Sequence, residues 1–213
     1  MRWQYWIAMI TAALLLAAGC TQQRGASAPP PTSDAQQAAS NALATLQKLV
    51  TEQNYKALGF TSLDEVKSAT LAKPLAQYDI GLDRLREYQV GKDPNALLTA
   101  SSETIYPVTV AGQVRSSVTV VKKETGYTTA SFGNANIVKA LSLYRGANVS
   151  EAFAVRISAL GMYFLGNRVE TRLMLTPVVE DNRLPFRIGV AVPAEDLLKA
   201  IIPLAQAYNG LPT

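Results

Sequence analysis

The run Ile105-Tyr106-Pro107-Val108-Thr109-Val110, then Ala111-Gly112-Gln113, then Val114-Arg115-Ser116-Ser117-Val118-Thr119-Val120, carries a period of two. Tyr106, Val108 and Val110 alternate with Ile105, Pro107 and Thr109. After the glycine turn, Val114, Val118 and Val120 alternate with Arg115, Ser117 and Thr119. Successive strand residues point to opposite faces, so this spacing predicts an antiparallel hairpin with one apolar face. A second turn at Glu124-Thr125-Gly126 leads into a third strand, Tyr127 to Phe132. Asn134 then opens a helix carrying Ile137, Val138, Leu141 and Tyr144, and Gly146 closes it.

The chain beyond Gly146 repeats the layout. Phe153, Val155 and Ile157 alternate with Ala154, Arg156 and Ser158, and a strand from Met162 to Leu165 runs to Gly166-Asn167, a hairpin signal. In the return strand Val169, Thr171, Leu173 and Leu175 oppose Arg168, Glu170, Arg172 and Met174. Phe186, Ile188, Val190 and Val192 predict a last strand, and Pro193 opens a helix with Leu197, Leu198, Ile201, Ile202 and Ala205 on its buried side. Upstream, Ser33 or Asp34 starts a helix to about Gln53, whose opening is rich in Ala, Gln, Ser and Asn and should pack weakly. Ser62-Leu63-Asp64-Glu65 is a capping box, and Leu75 to Ile80 reads as a strand. The fold class expected is α+β: an antiparallel sheet with helices on one face, approximately βββα twice, behind an N-terminal helical part. The domain reading is a signal segment over 1–19, a tether over 20–32 and one globular domain over 33–213, with possible halves 33–147 and 148–213.

The N-terminus fixes location. Arg2 is the only charged side chain before Cys20, the run up to the cysteine is apolar, and small residues precede it. With Ala17-Ala18-Gly19-Cys20 as the lipobox, this segment resembles a bacterial lipoprotein precursor. The resemblance covers the first twenty residues. It implies lipidation of the Cys20 sulfur, removal of residues 1–19, and attachment to a membrane through Cys20. Thr21, where Asp would favour the inner membrane, implies the outer membrane facing the periplasm if the cell is Gram-negative. Two or more acyl chains make such attachment lasting. Thr21 to Pro31, with Pro29-Pro30-Pro31, reads as an extended tether.

Composition narrows the chemistry. The chain has 213 residues, no histidine and one cysteine. Triads with a histidine base and histidine-ligated metals are therefore excluded, and lipidation of Cys20 would remove the only thiol. The net charge of +4, without a basic cluster, does not argue for nucleic acid. No catalytic residue, metal or cofactor is expected. The expected role is a non-catalytic binding or assembly module for an envelope protein or an acidic envelope component. The alternative is a carboxylate-based envelope hydrolase or transferase.

Two surfaces are candidates. Alternation places Arg115, Arg156, Arg168, Arg172 and Arg187 opposite the apolar residues of their strands, where neighbouring strands would gather them into a carboxylate- or phosphate-seeking face. Met162, Tyr163 and Phe164 are apolar at successive positions. They suit either a strand buried on both faces or an apolar contact for a partner.

Overall fold

The computed structural model describes residues 33–146 and 151–210. The signal segment, Cys20, the tether and the junction between the expected halves lie outside the described residues. The elements are α1 (Ser33–Leu49), α2 (Leu63–Lys67), β1 (Thr70–Leu71), β2 (Leu75–Ile80), α3 (Leu82–Arg86), β3 (Leu98–Val110), β4 (Gln113–Lys123), β5 (Gly126–Phe132), α4 (Ala135–Arg145), β6 (Phe153–Ile157), β7 (Met162–Val169), β8 (Arg172–Pro177), β9 (Val192–Pro193) and α5 (Ala194–Ala207).

The strands form one sheet in the order β5-β4-β3-β2-β6-β7-β8-β9, with β1 extending the β2 side of β3. All pairings are antiparallel except β2 with β6, which places Tyr78 opposite Val155 and Asp79 opposite Arg156. The sheet is thus two meanders that start side by side at a parallel seam and run outward in opposite directions. Tyr78 and Phe153 pack across the seam with ring centroids 4.8 Å apart.

The α+β class and the largely antiparallel sheet agree with the sequence pattern, and the structure refines the placement of helices. On one face, α1 covers Tyr106, Val108, Val118 and Val120, while α5 covers Phe153, Val155, Phe164, Leu173 and Leu175. Helix α4 lies on the reverse face, where Val138 and Leu141 meet Leu75, Ile105, Ala154 and Leu165. Ile105 and Tyr106 are neighbours in one strand, so these two clusters sit on opposite sides of the sheet. The central strands carry apolar residues on both faces, and both faces therefore acquire a cover.

Several local expectations are corrected. The alanine-rich start of α1 is tightly packed: Ala35 and Ala39 are 0% exposed and Ala42 1%. Alanines at this spacing form a smooth stripe that lets the helix lie close on the sheet. Val114 does not share the face of Val118. A bulge between the pairs Val108–Ser116 and Thr109–Val114 inserts Arg115 and turns Val114 toward α4. Gly166-Asn167 is not a turn; β7 continues to Val169, and Glu170, at φ +57°, turns the chain with Thr171. Gly166 is a packing residue, since a Cβ there would stand 2.4 Å from the Phe153 ring. The expected strand over 186–192 shrinks to Val192–Pro193. Leu184, Phe186 and Val192 instead pack on the α5 core from an irregular segment.

The capping box forms with one change of partner. Ser62 accepts from the Glu65 backbone N–H at 3.4 Å, and the Glu65 carboxylate reaches back to the Thr61 N–H at 2.8 Å. Glu65 also pairs with Arg115 at 2.8 Å, tying α2 to the bulge on β4. The bond from the Thr61 backbone, with that of Arg115, holds the Glu65 carboxyl below its ordinary value. Asp181 is lowered likewise, chiefly by its hydrogen bond from Arg183. A depressed folded pKa means that the unfolded chain binds more protons in acid, so this stabilisation is full above about pH 4.3 and is lost as pH falls through the folded value. Stability should therefore decline below that pH, and Glu65→Gln should flatten the decline by up to about 1 kcal/mol. Denaturation midpoints measured from pH 3 to pH 7 check this; an unchanged slope in the variant would refute the assignment.

Candidate functional site

Cross-strand register, rather than any contiguous motif, builds a polar enclosed place on the sheet. On the α4 face, Asp79, Arg156 and Tyr163 stand opposite one another in β2, β6 and β7. Ile105, Thr119 and Ser131 do the same in β3, β4 and β5. Between these rows lies a cavity of about 110 Å³. Its lining includes Gln77, Glu103, Thr119, Ser131, Arg156 and Tyr163, and α4 closes one side through Asn134, Ile137 and Val138.

Arg156 organises the wall. Its Nε donates to Asp79 Oδ1 at 2.8 Å, and its Nη1 stands 3.5 Å from Glu103 Oε2. Gln77, 4% exposed, donates from Nε2 to the same Glu103 oxygen at 3.0 Å. Burial works against the Arg156 charge. The hydrogen bond and attraction from Asp79, then Glu103, and a hydrogen bond with Tyr163 outweigh it and hold the guanidinium above its ordinary pKa.

The remaining lining is neutral. Ser117, on the same face, donates to the Gly133 carbonyl and fixes the turn into α4. Asn134 occupies the N-cap position at φ +52° but makes no side-chain cap, so its amide remains available to the cavity. Thr119 is 6% exposed, and its hydroxyl bonds to no group among the described residues.

The five sequence-selected arginines do not form one face. Arg115 leaves the bulge toward Glu65. Arg156 is in the cavity wall. Arg168 lies on the opposite face, 4.9 Å above the Phe153 ring, with its Nε bonded to Asn95 Oδ1 at 3.0 Å. Arg172 is exposed on the α4 side and lines a separate cavity of about 250 Å³ with Asp93 and Glu195. Arg187 is exposed in the irregular segment before β9. Arg168 and Arg172, expected on one strand, belong to β7 and β8, which pair as Arg168–Leu173 and Val169–Arg172 and send their arginines to opposite faces.

Met162 and Phe164 are core residues, 4% and 2% exposed, and Tyr163 is half-buried on the α4 side. These residues also border a cavity of about 440 Å³ closed by 179–184, where Asp181 and Arg183 pair at 2.7 Å. Tyr163 lines both this cavity and the polar one. Sequence reading singled out Arg156 and Tyr163 but missed Gln77, Glu103, Thr119, Ser131 and Asn134. The available signal was the polar phase of β4, where Ser117 and Thr119 oppose Val118 and Val120.

Among the described residues no helix is long and apolar enough to cross a membrane, and no cluster of three acids could hold a metal ion. Fold and site together define an α+β chain with a polar, charge-matched cavity on one sheet face. Comparison with protein-family models, curated proteins and solved structures returns no match.

Proposed function

We propose that this chain is a lipid-anchored protein of the bacterial cell envelope, with a folded part that acts as a non-catalytic binding or assembly module. The Leu14–Cys20 segment supports the anchor, and Thr21 supports the outer membrane facing the periplasm in a Gram-negative cell. The observation that carries the binding role is the cavity beside α4, where Gln77 and Thr119, each over nine-tenths buried, face an opening walled by Arg156 and Glu103. Burying polar groups around an open space costs stability unless their hydrogen bonds are made, so such a pocket favours recognition over packing. The arginines diverge, and the one in the cavity is already paired, which favours a neutral envelope component or a protein over an acidic one.

A second reading, a carboxylate-based hydrolase or transferase, has one observation in its favour: Asp79 and Glu103 converge on Arg156 beside the cavity. Both are engaged by Arg156, which suits a fixed ion-pair wall better than a proton-transfer pair.

The test is fractionation of cells expressing the full-length chain or Cys20→Ala, followed by recovery of partners from detergent-solubilised membranes. The wild type should stay with membranes through high-salt and carbonate washes, and Cys20→Ala should be released. Equal distribution of the two would overturn the anchor. Envelope material recovered with the wild type and lost on filling the cavity with Ser131→Trp supports the binding role; recovery indifferent to that change removes it.

A further inference from the structure

We infer that the cavity between the sheet and α4 binds the hydroxyl edge of a neutral sugar ring, as part of a glycan chain. The inference rests on the envelope-binding reading above and names its ligand class.

The charges exclude the other simple ligands. Arg156 spends its Nε on Asp79 and directs Nη1 toward Glu103, so no free fork remains for a carboxylate or phosphate. Glu103 in the same wall would repel an anion. A cation finds one carboxylate in the lining, Glu103, which already faces Arg156 and accepts from Gln77.

What the cavity does offer is groups that both donate and accept: the Thr119 and Ser131 hydroxyls, the Asn134 amide and the Tyr163 phenol. Sugar hydroxyls have the same dual character, and a carboxylate oxygen beside them accepts from one more. Thr119 is the decisive residue. It is 6% exposed and lines the cavity, and nothing in the described protein engages its hydroxyl. A hydroxyl facing an opening without a protein partner takes its hydrogen bond from whatever enters, water or a ligand hydroxyl.

Size sets the limit. About 110 Å³ is well below the roughly 300–1,000 Å³ of pockets that enclose a whole small ligand, hence room for the edge of one ring. Tyr163 borders both this pocket and the neighbouring cavity of about 440 Å³, so a chain held by one ring here has space to continue past the tyrosine.

The test titrates the full-length chain in detergent micelles with chitotetraose and maltotetraose as neutral glycans, and with inorganic phosphate as the anionic control. The readouts are the backbone amide shifts of Thr119, Ser131 and Asn134. At least one of the two sugars should move these amides saturably, and phosphate should not. Thr119→Val, nearly isosteric but lacking the hydroxyl, should weaken sugar binding about fivefold with an unchanged melting temperature. If that variant folds poorly, Ser131→Ala on the more open side should weaken binding similarly. The inference is overturned if neither sugar moves these amides, if phosphate competes with the sugar, or if the folded variants bind as well as the wild type. Absent sugar binding with membrane attachment and cavity-dependent partner recovery intact removes this inference alone. Loss of that recovery as well removes the reading beneath it.

Discussion

Gly59→Ala should lower the stability of the fold by about 4 kcal/mol, a large share of the roughly 5–15 kcal/mol that holds a typical domain together. Gly59 sits at φ +96°, where a side chain is strained, and a Cβ there would lie 2.0 Å from the Arg115 carbonyl oxygen and 2.6 Å from the Ala135 Cβ. The Arg115 carbonyl belongs to the backbone of the β4 bulge, and Ala135 is the first residue of α4. Neither can move without shifting a strand or a helix. The strain and the overlap each cost on the order of 1–3 kcal/mol. Because the glycine wedges the loop after α1 against the start of α4, the damage should extend to the cavity beside Asn134. Urea denaturation of the purified chain measures the loss; a change below about 1 kcal/mol would show that this three-way contact is looser than the geometry indicates.

The second large effect separates two roles for one residue. Phe164→Ala should cost about 3–5 kcal/mol of stability, the range for deleting a buried aromatic ring. Phe164 is 2% exposed and belongs to the core under α5, with Phe153, Leu173, Leu175 and Leu198. Helix α5 would lose part of the surface it docks on, so thermal unfolding should shift down by several degrees. Had Phe164 been a partner-facing residue, its removal would weaken an interaction and spare stability. A variant with an unchanged melting temperature would restore that interpretation.

The contrast between Phe164 and Tyr163 shows how far the sequence can be read. Three successive apolar residues at Met162, Tyr163 and Phe164 announce a strand covered on both sides, and α5 and α4 supply the covers. Alternation likewise located β3, β4, β6 and most of β7 and β8, because one-sided burial leaves a period of two in the chain. It failed where a residue serves a distant neighbour. Gly166 is small because the Phe153 ring lies over it, yet locally glycine followed by asparagine looks like a turn. Of the apolar alternation over 186–192, Phe186 and Val192 pack on the α5 core, Ile188 and Val190 stay exposed, and only Val192 pairs in the sheet. The alanines of α1 looked too small to matter, although their smallness is what brings the helix down onto the sheet.

The candidate site was less legible for the same reason. Asp79, Arg156 and Tyr163 are aligned only through strand order and register, and neither is encoded in local periodicity. The sequence could say that Arg156 opposes the apolar side of its own strand. It could not say that its neighbours would be acids that neutralise it.

The parallel seam between β2 and β6 has a further consequence for how the chain reaches its native state. Within each meander, strands join neighbours close in sequence, so those pairings close short loops. The seam joins Gln77 to Ala154, and the intervening chain must be ordered or held in a long loop before that contact forms. Until the seam forms, the first meander has the β2 edge bare. That edge is central: its α5 face is apolar through Ala76, Tyr78 and Ile80, and on the other face Asp79 waits for Arg156, a partner that only the completed sheet supplies. In the native protein β2 lies inside the sheet between β3 and β6; before the seam closes it is an open edge that another chain could pair with.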